Sequence, residues 1–139
     1  MTFYVVDTNM LYSKIESIGK NRNDIVILDE IAIELSPVIS RVEKLKKAGV
    51  QFISLKKTHY DKLKVVMQSH GKNLNLIRLY TNEGAGDIEI ISYILAEREN
   101  NPPLFKNDYN LVTKDVAAIK VAKSYGITCL DYIPSKDTK

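Results

Sequence analysis

The 139-residue chain has a single cysteine, Cys129, and only two histidines, His59 and His70. One cysteine cannot close a disulfide within the chain, and it argues against a zinc site made of thiolates. Neither histidine has a catalytic or metal-binding partner at helical spacing. Any metal site in this protein is therefore expected to use oxygen ligands.

Long apolar runs are also missing. No stretch reaches the roughly 18 apolar residues that a transmembrane helix needs. The N-terminus lacks the basic flank, apolar core and small-residue cleavage site of a secretory signal. We therefore expect a cytoplasmic protein without a membrane partner.

What the chain does contain is typical of a globular protein, with 45% hydrophobic and 27% charged residues. Its length predicts one domain over residues 1–139. The net charge of +3 is compatible with nucleic-acid binding but does not require it. Lysines crowd residues 44–64, where solvated helix faces are the simplest interpretation.

An aspartate ends the first apolar segment, in the stretch FYVVDTN. The β-branched and aromatic residues before Asp7 predict a buried strand. The carboxyl ends of the strands are where open parallel sheets bind ligands. The alternative is that Asp7 is the N-cap of the following helix, a position that aspartate favours.

Strand and helix patterns alternate along the rest of the chain. We predict strands over 25–28, 50–55, 109–113 and 127–130, with a buried approach to a helix as the alternative for 25–28. The predicted helices are an early one ending near Gly19, one from Ser36 (N-cap) to Gly49, one from Thr58 (N-cap) to about His70, one over 86–99 and one ending at Gly126. This alternation predicts a three-layer α/β/α fold around a central parallel sheet.

Four carboxylates occupy positions that a solvated surface does not explain. Asp7 and Asp115 each end a predicted strand, Glu34 lies in the apolar stretch IAIEL, and Asp87 opens a helix after NEGAG. Because the carboxyl ends of parallel strands share one edge, we expect Asp7 and Asp115 to be neighbours there, with Asp87 beside them. Structural roles stay open for each: capping for Asp7 and Asp115, a solvated helix face for Glu34, and the positive helix end for Asp87.

Such a cluster implies a cation. Converging carboxylates repel one another unless some are protonated or a cation lies among them. Oxygen ligands alone suit Mg²⁺ or Mn²⁺, and Ca²⁺ less well. A site of this kind can orient water, lower its pKa and neutralise charge at a phosphodiester.

The order of the acidic motifs resembles the PIN domain family, including its VapC-type toxins. The motifs are VVDTN, IAIEL, GAGDIEIISYILA and LVTKD, and the resemblance covers about residues 3–130. It implies a compact α/β/α fold, a ribonuclease activity that depends on Mg²⁺ or Mn²⁺, and an acidic metal pocket. By motif, Asp7, Glu34, Asp87 and Asp115 are similar to the family's four acids, as catalytic and metal-binding residues.

Other positions follow or depart from the family pattern. Asn9 resembles the supporting residue after the first acid, and Thr113 resembles the hydroxyl residue that often precedes the fourth. Many relatives carry a further acid or asparagine shortly after the fourth acid, where this chain has a valine and two alanines. Glu83 and Glu89 flank Asp87, so the assignment of the third acid has alternatives.

The favoured hypothesis is a divalent-metal-dependent endoribonuclease that hydrolyses RNA phosphodiester bonds, with the resemblance adding the role of toxin in a toxin–antitoxin pair. The implied partners are the RNA substrate, an antitoxin protein and a second copy of the chain. The alternative is a non-catalytic PIN-like module that binds RNA or a protein. A phosphotransferase of the haloacid dehalogenase type is disfavoured, because it needs a second aspartate where Asn9 stands.

Overall fold

Five short strands build one parallel sheet. In the computed structural model, which describes residues 1–7, 10, 18–29, 39–69, 85–100 and 107–135, they lie in the order β3-β2-β1-β4-β5. The strands are β1 (Thr2–Val6), β2 (Ile25–Leu28), β3 (Gln51–Ile53), β4 (Asp108–Val112) and β5 (Cys129–Leu130). Every pairing is parallel, and Val5 in β1 lies between Val26 and Leu111.

Helices connect and cover these strands. The described helices are α1 (Ile39–Lys47), α2 (Lys57–Ser69), α3 (Ala85–Asn100) and α4 (Val116–Ser124). All four residues of β2 are buried, as are Val5, Val6, Leu111 and Val112. Strands buried on both faces have continuous apolar sequences. The stretch IVIL is therefore a central strand, and the predicted three-layer α/β/α fold is confirmed.

The helix α3 is the central helix of the fold. Ile88 and residues 90–96 are buried, so the helix is covered nearly all round, as the dense apolar sequence requires. It packs against α2 and β4. The rings of Tyr93 and Tyr109 meet edge to face, with their centroids 6.0 Å apart. Of the helices in the described ranges, none is long and apolar enough to cross a membrane.

Several element boundaries differ from the prediction, with β4 over 108–112 instead of 109–113 and β5 over 129–130 instead of 127–130. The strand β3 covers 51–53 instead of 50–55. The helix α2 begins at Lys57, so Thr58 lies inside its first turn and is not its N-cap. Lys56 takes that position: its N–H donates to His59 Nδ1 at 2.8 Å, and its carbonyl oxygen accepts from the His59 N–H at 3.0 Å. Ser36, the other expected N-cap, lies outside the described residues.

A buried ion pair before β2 also binds the distant segment after β5. Arg22, 2% exposed, donates from Nε to Asp24 Oδ1 at 3.0 Å and from Nη2 to Oδ2 at 3.3 Å. The same guanidinium donates to the carbonyl oxygens of Ile18 at 3.1 Å and Pro134 at 2.7 Å. We call these four residues the Arg22 cluster. It fixes the segment after β5 to the loop before β2.

The backbone of Gly49 approaches this cluster closely. Its φ is +92°, and a Cβ at this position would lie 3.2 Å from the backbone nitrogen of Arg22. Both the positive φ and the close approach call for glycine. The predicted end of α1 at Gly49 therefore has a tertiary as well as a local cause.

Candidate active site

The strand order defines one crevice at the carboxyl edge of the sheet. From β1 the chain proceeds outward to β2 and β3, whereas β4 and β5 lie on the other side of β1. Ligands of open parallel sheets bind where the strand order reverses in this way, outside the carboxyl ends of the two central strands. Here those strands are β1 and β4. Asp7 directly follows β1, and Thr113, Lys114 and Asp115 follow β4.

A threonine hydroxyl joins the two aspartates. Thr113, fully buried, donates from Oγ1 to Asp7 Oδ2 at 3.0 Å and accepts at Oγ1 from the Asp115 N–H at 3.1 Å. The Asp7 N–H donates to the Val112 carbonyl oxygen at 3.0 Å, so the pairing of β1 with β4 continues up to Asp7. We call Asp7, Thr113 and Asp115 the Asp7 cluster.

Asp115 is also the N-cap of α4. Its Oδ1 accepts from the Ala118 N–H at 3.1 Å, and its backbone is extended, at φ −70° and ψ 116°. The capping role left open by the sequence is thus real for Asp115. It does not exclude ligand binding, because this bond uses one oxygen and a carboxylate offers about four acceptor positions.

The third predicted acid lies at the start of α3. Arg98, near the end of this helix, donates to the carbonyl oxygens of Tyr125 at 3.1 Å and Gly126 at 2.8 Å, just before β5. The end of α3 is therefore at the amino edge of the sheet. Asp87 lies about 16 Å along the helix from Arg98. A five-residue strand is about 17 Å long, so this part of α3 is about as long as the sheet is deep. This direction brings the backbone of Asp87 toward the carboxyl edge, while its side chain lies outside the described part of the structure.

Of the remaining predicted residues, Glu89 is the one that the described part of the structure includes. Glu34, Asn9 and Glu83 lie outside the described residues. Glu89, in α3, is half-buried, and its Oε2 is buried. Across the described ranges, no three His, Cys, Asp or Glu side chains come close enough together to hold a metal ion. The structure thus brings Asp7 and Asp115 together and leaves the positions of Glu34 and the Asp87 carboxylate as predictions.

The chemistry of the Asp7 cluster suits a hard cation. Its side-chain donors are two carboxylates and a hydroxyl, the oxygen ligands that Mg²⁺ and Mn²⁺ prefer. Among the described residues, the softer metal-binding side chains are those of His59, which pairs with Glu97, and Cys129. Burial raises the pKa of the Cys129 thiol, an effect that Lys123 partly opposes, and a thiol binds metal as the thiolate.

The buried histidine has a partner that local sequence cannot reveal. His59 Nε2 lies 2.8 Å from Glu97 Oε1, and Nδ1 accepts the Lys56 N–H. Glu97 is 38 residues further along the chain, on α3, so helical spacing gave no signal for it. The imidazole also contacts Tyr93, whose phenol pKa is raised by burial first and by Glu97 and Tyr109 next. This group stabilises the packing of α2 on α3.

Comparison with known protein families gives one match. The family model described as PIN domain matches residues 4–133, which include all five strands except the first two residues of β1. Searches of curated protein sequences and of solved structures found no significant match.

Proposed function

The chain belongs to the PIN domain family, which is generally a nuclease fold, and from this premise we propose that it is a divalent-metal-dependent endoribonuclease. In this proposal it hydrolyses phosphodiester bonds of RNA at the carboxyl ends of β1 and β4. The observation that carries the proposal is the buried Thr113 hydroxyl, which holds Asp7 beside Asp115 at that edge. The proposed ligands are Asp7, Glu34, Asp87 and Asp115.

Thr113 orients the first acid. Its oxygen accepts the Asp115 N–H, so the single hydroxyl proton is directed to Asp7 Oδ2. An ionised carboxylate only accepts hydrogen bonds, and a fixed donor on Oδ2 sets its rotation. Asp115 is held in turn by its capping bond to Ala118. Both carboxylates are therefore pre-positioned before any ligand arrives, which lowers the cost of assembling a metal site.

Mg²⁺ or Mn²⁺ bound by these acids would lower the pKa of water and neutralise charge at the phosphodiester. Lys114 is exposed between Thr113 and Asp115. We propose that its ammonium group binds a phosphate of the RNA backbone. A lysine contact of this kind makes RNA binding weaken as salt rises, because neutralised phosphates release counterions.

The proposal is tested by incubating purified protein with labelled RNA in Mn²⁺, in Mg²⁺ and in excess EDTA. We expect cleavage with a divalent ion, none in EDTA, and at least about 100-fold slower cleavage for Asp7→Asn, since the variant removes a charged ligand. Asp108→Asn is the matched control, because Asp108 is exposed at the opposite end of the same sheet. Its cleavage rate should equal that of the unmodified chain.

A thermal readout separates metal binding from turnover. Mn²⁺ should raise the melting temperature of the unmodified chain and of Asp108→Asn, and raise it less for Asp7→Asn, because a ligand that binds only the folded state stabilises it. Without metal, Asp7→Asn should be as stable as the unmodified chain or more so, since it removes repulsion between like charges. Cleavage that persists in EDTA would contradict the metal mechanism, and RNA binding without cleavage under any divalent ion would favour a non-catalytic module.

We further propose that the protein is a VapC-type toxin that acts in the cytoplasm and is restrained by an antitoxin protein, as a monomer or with a second copy of itself. The order of the four acidic motifs supports this proposal. Induced expression of the unmodified chain should arrest bacterial growth, and expression of Asp7→Asn should not. Equal growth of the two cultures would argue against a toxin.

A further inference from the structure

A cleft at the amino side of β2 and β3 gathers three lysines from two separate segments of the chain. Its volume is about 290 Å³, its floor includes buried Ile18 and Leu45, and its rim carries exposed Lys20, Lys44 and Lys47. Lys44 and Lys47 lie in the last turn of α1, whereas Lys20 lies in the loop before β2. We call these three lysines the Lys20 cluster.

Hydrogen bonds of Arg22 hold the two walls of this cleft together. The Arg22 N–H donates to the carbonyl oxygen of Ala48, just after α1, at 2.7 Å. Its Nη1 donates to the carbonyl oxygen of Ile18, in the loop that carries Lys20, at 3.1 Å. The loop is therefore fixed against the end of α1, and the spacing of the three lysine backbones is set before any ligand arrives.

The helix dipole accounts for only part of the Lys20 cluster. Cations in the last turn of a helix are stabilised by its negative end, and this explains Lys44 and Lys47. Lys20 lies outside any described helix and reaches the same cleft through the bonds of Arg22. Among the described residues that line the cleft, none is acidic. Ammonium groups held near one another repel, so the cluster favours an anionic ligand.

The floor of the cleft indicates that the ligand binds through charge. Ile18 is 4% exposed and Leu45 is 1% exposed, so the floor offers little apolar surface to a side chain of a protein partner. The accessible groups are chiefly the three lysines, which suit the closely spaced charges of a phosphate chain. Lysine is a common ligand of phosphate, which it meets as a point charge.

The cleft and the Asp7 cluster lie at opposite edges of the sheet. The five residues of β1 span about 17 Å, which sets the separation of the two edges. A small anion in the cleft would not reach the acids, whereas a polymer can bind both places at once. Phosphates of a stacked strand follow one another at about 3.4 Å, so an RNA needs more than about five of them to do this.

We propose that the Lys20 cluster is a second contact surface for RNA, which binds the phosphate backbone at the amino side of the sheet and favours long RNA over short RNA. This inference rests on the proposed ribonuclease function. The cluster has a positioning role, because its lysines are remote from the acids that act on the phosphodiester. When one RNA occupies both edges, the second contact becomes intramolecular and the affinity rises.

The test measures binding of a fluorescein-labelled RNA of about 20 nucleotides by fluorescence anisotropy in EDTA, where no metal supports cleavage. Each lysine contact with a single strand adds about 0.7 to the slope of log affinity against log salt, so it contributes about fivefold at about 0.1 M salt. We therefore expect Lys44→Gln/Lys47→Gln to bind about 25-fold more weakly, with a slope lower by about 1.4.

Lys57→Gln/Lys64→Gln is the matched control, because both lysines are exposed on α2 and the variant loses the same charge. Its affinity for RNA should be unchanged, and the two double variants should melt at similar temperatures. Lys20→Gln gives an independent measurement, since it leaves α1 intact. It should bind about fivefold more weakly, with a slope lower by about 0.7.

Cleavage in Mn²⁺ separates this surface from the acids. For the long RNA, Lys44→Gln/Lys47→Gln should raise KM and leave kcat unchanged, because the lysines contact no reacting atom. A trinucleotide is too short to span the sheet, so its kcat/KM should be the same for this variant and the unmodified chain. Equal losses for the trinucleotide and the long RNA would overturn the proposal.

The outcomes distinguish this inference from the function it rests on. If the unmodified chain cleaves RNA and Lys44→Gln/Lys47→Gln binds long RNA as tightly as the α2 control, the second surface is wrong and the ribonuclease stands. If this variant binds weakly but no divalent ion supports cleavage by the unmodified chain, the surface stands and the ribonuclease is wrong. Binding of a labelled polyglutamate peptide that Lys44→Gln/Lys47→Gln abolishes, with RNA binding unchanged, would assign the cleft to an acidic protein and overturn the proposal.

Discussion

The Arg22 cluster and the Asp7 cluster are both groups of polar residues joined by hydrogen bonds, but the charges they bring together differ in sign. In the first, a guanidinium faces a carboxylate in a two-point contact and also satisfies two carbonyl oxygens. In the second, a neutral hydroxyl donates to the Asp7 carboxylate and accepts from the backbone N–H of Asp115, a second acidic residue. Opposite charges neutralise each other, whereas like charges held together repel.

This difference separates a structural site from the proposed metal site. The Arg22 cluster lies at the amino side of β2 and ties the tail after β5 to the core, so its charge pairing serves the fold. The Asp7 cluster lies where the strand order reverses, and its two negative charges favour a cation. A chain that needed only stability at this edge would gain more from a neutral or oppositely charged pair.

The largest effect is expected from breaking the Arg22 cluster. Arg22→Met leaves the buried carboxylate of Asp24 without its guanidinium, and this should lower the free energy of unfolding by about 3–5 kcal/mol. Urea denaturation followed by circular dichroism measures the loss. The double variant Arg22→Met/Asp24→Leu removes both charges and should recover part of it.

A surface ion pair provides the control for this prediction. Lys62 and Glu99 are paired, and the Glu99 side chain is 64% exposed. Lys62→Met should cost less than about 1 kcal/mol, because solvent screens such a pair. Equal losses for Arg22→Met and Lys62→Met would mean that burial does not distinguish the Arg22 cluster.

A smaller effect is expected from removing the hydroxyl of the Asp7 cluster. Thr113→Val keeps the shape but removes the donor to Asp7 and the acceptor for the Asp115 N–H. By analogy with other residues that orient metal ligands, we expect Mn²⁺ affinity and cleavage to fall by about 10- to 100-fold. Titration of the cleavage rate and of the melting temperature with Mn²⁺ measures both effects.

Serine is the matched replacement at this position. Thr113→Ser retains the hydroxyl and should keep Mn²⁺ affinity within a few-fold of the unmodified chain, despite losing a buried methyl group. If Thr113→Val and Thr113→Ser lose Mn²⁺ affinity equally, the methyl group matters rather than the hydrogen bonds, and the proposed orienting role of Thr113 is wrong.

The smallest effect concerns stability and separates the two roles of Asp115. Asp115→Ala removes the cap of α4 and should cost about 1 kcal/mol, whereas asparagine caps nearly as well as aspartate. Asp115→Asn should therefore unfold close to the unmodified chain and yet lose metal-dependent cleavage. Urea denaturation and the RNA assay are run on both variants. An Asp115→Asn protein with full activity would show that this residue only caps the helix.

Much of the fold followed from local patterns. The alternation of strands and helices predicted the parallel three-layer arrangement. For segment 25–28, the sequence allowed a strand or a buried approach to a helix, and the structure shows the strand. Thr58 was wrong as an N-cap because the His59 imidazole accepts the Lys56 N–H and moves the start of α2. Lysine is not among the residues that usually cap helices, so capping propensity pointed to Thr58 instead of Lys56.

Part of the candidate site could also be predicted from local sequence patterns. Strand ends marked Asp7 and Asp115, and the observed neighbours β1 and β4 end beside each other as expected. Thr113 was singled out only through resemblance to a family motif, because a threonine at a strand end has no special pattern of its own. As metal ligands, Asp7, Glu34, Asp87 and Asp115 all stay predictions.

The sequence by itself determined which residues are apolar, where strands and helices alternate and which carboxylates end apolar strands, because these are local properties of the chain. Only the tertiary structure decided which strands are neighbours. That choice joins Thr113 to Asp7 across 106 residues, and Arg22 to Pro134 across 112. Contacts of this separation depend on how buried strands pack together, a collective energy that no local segment encodes.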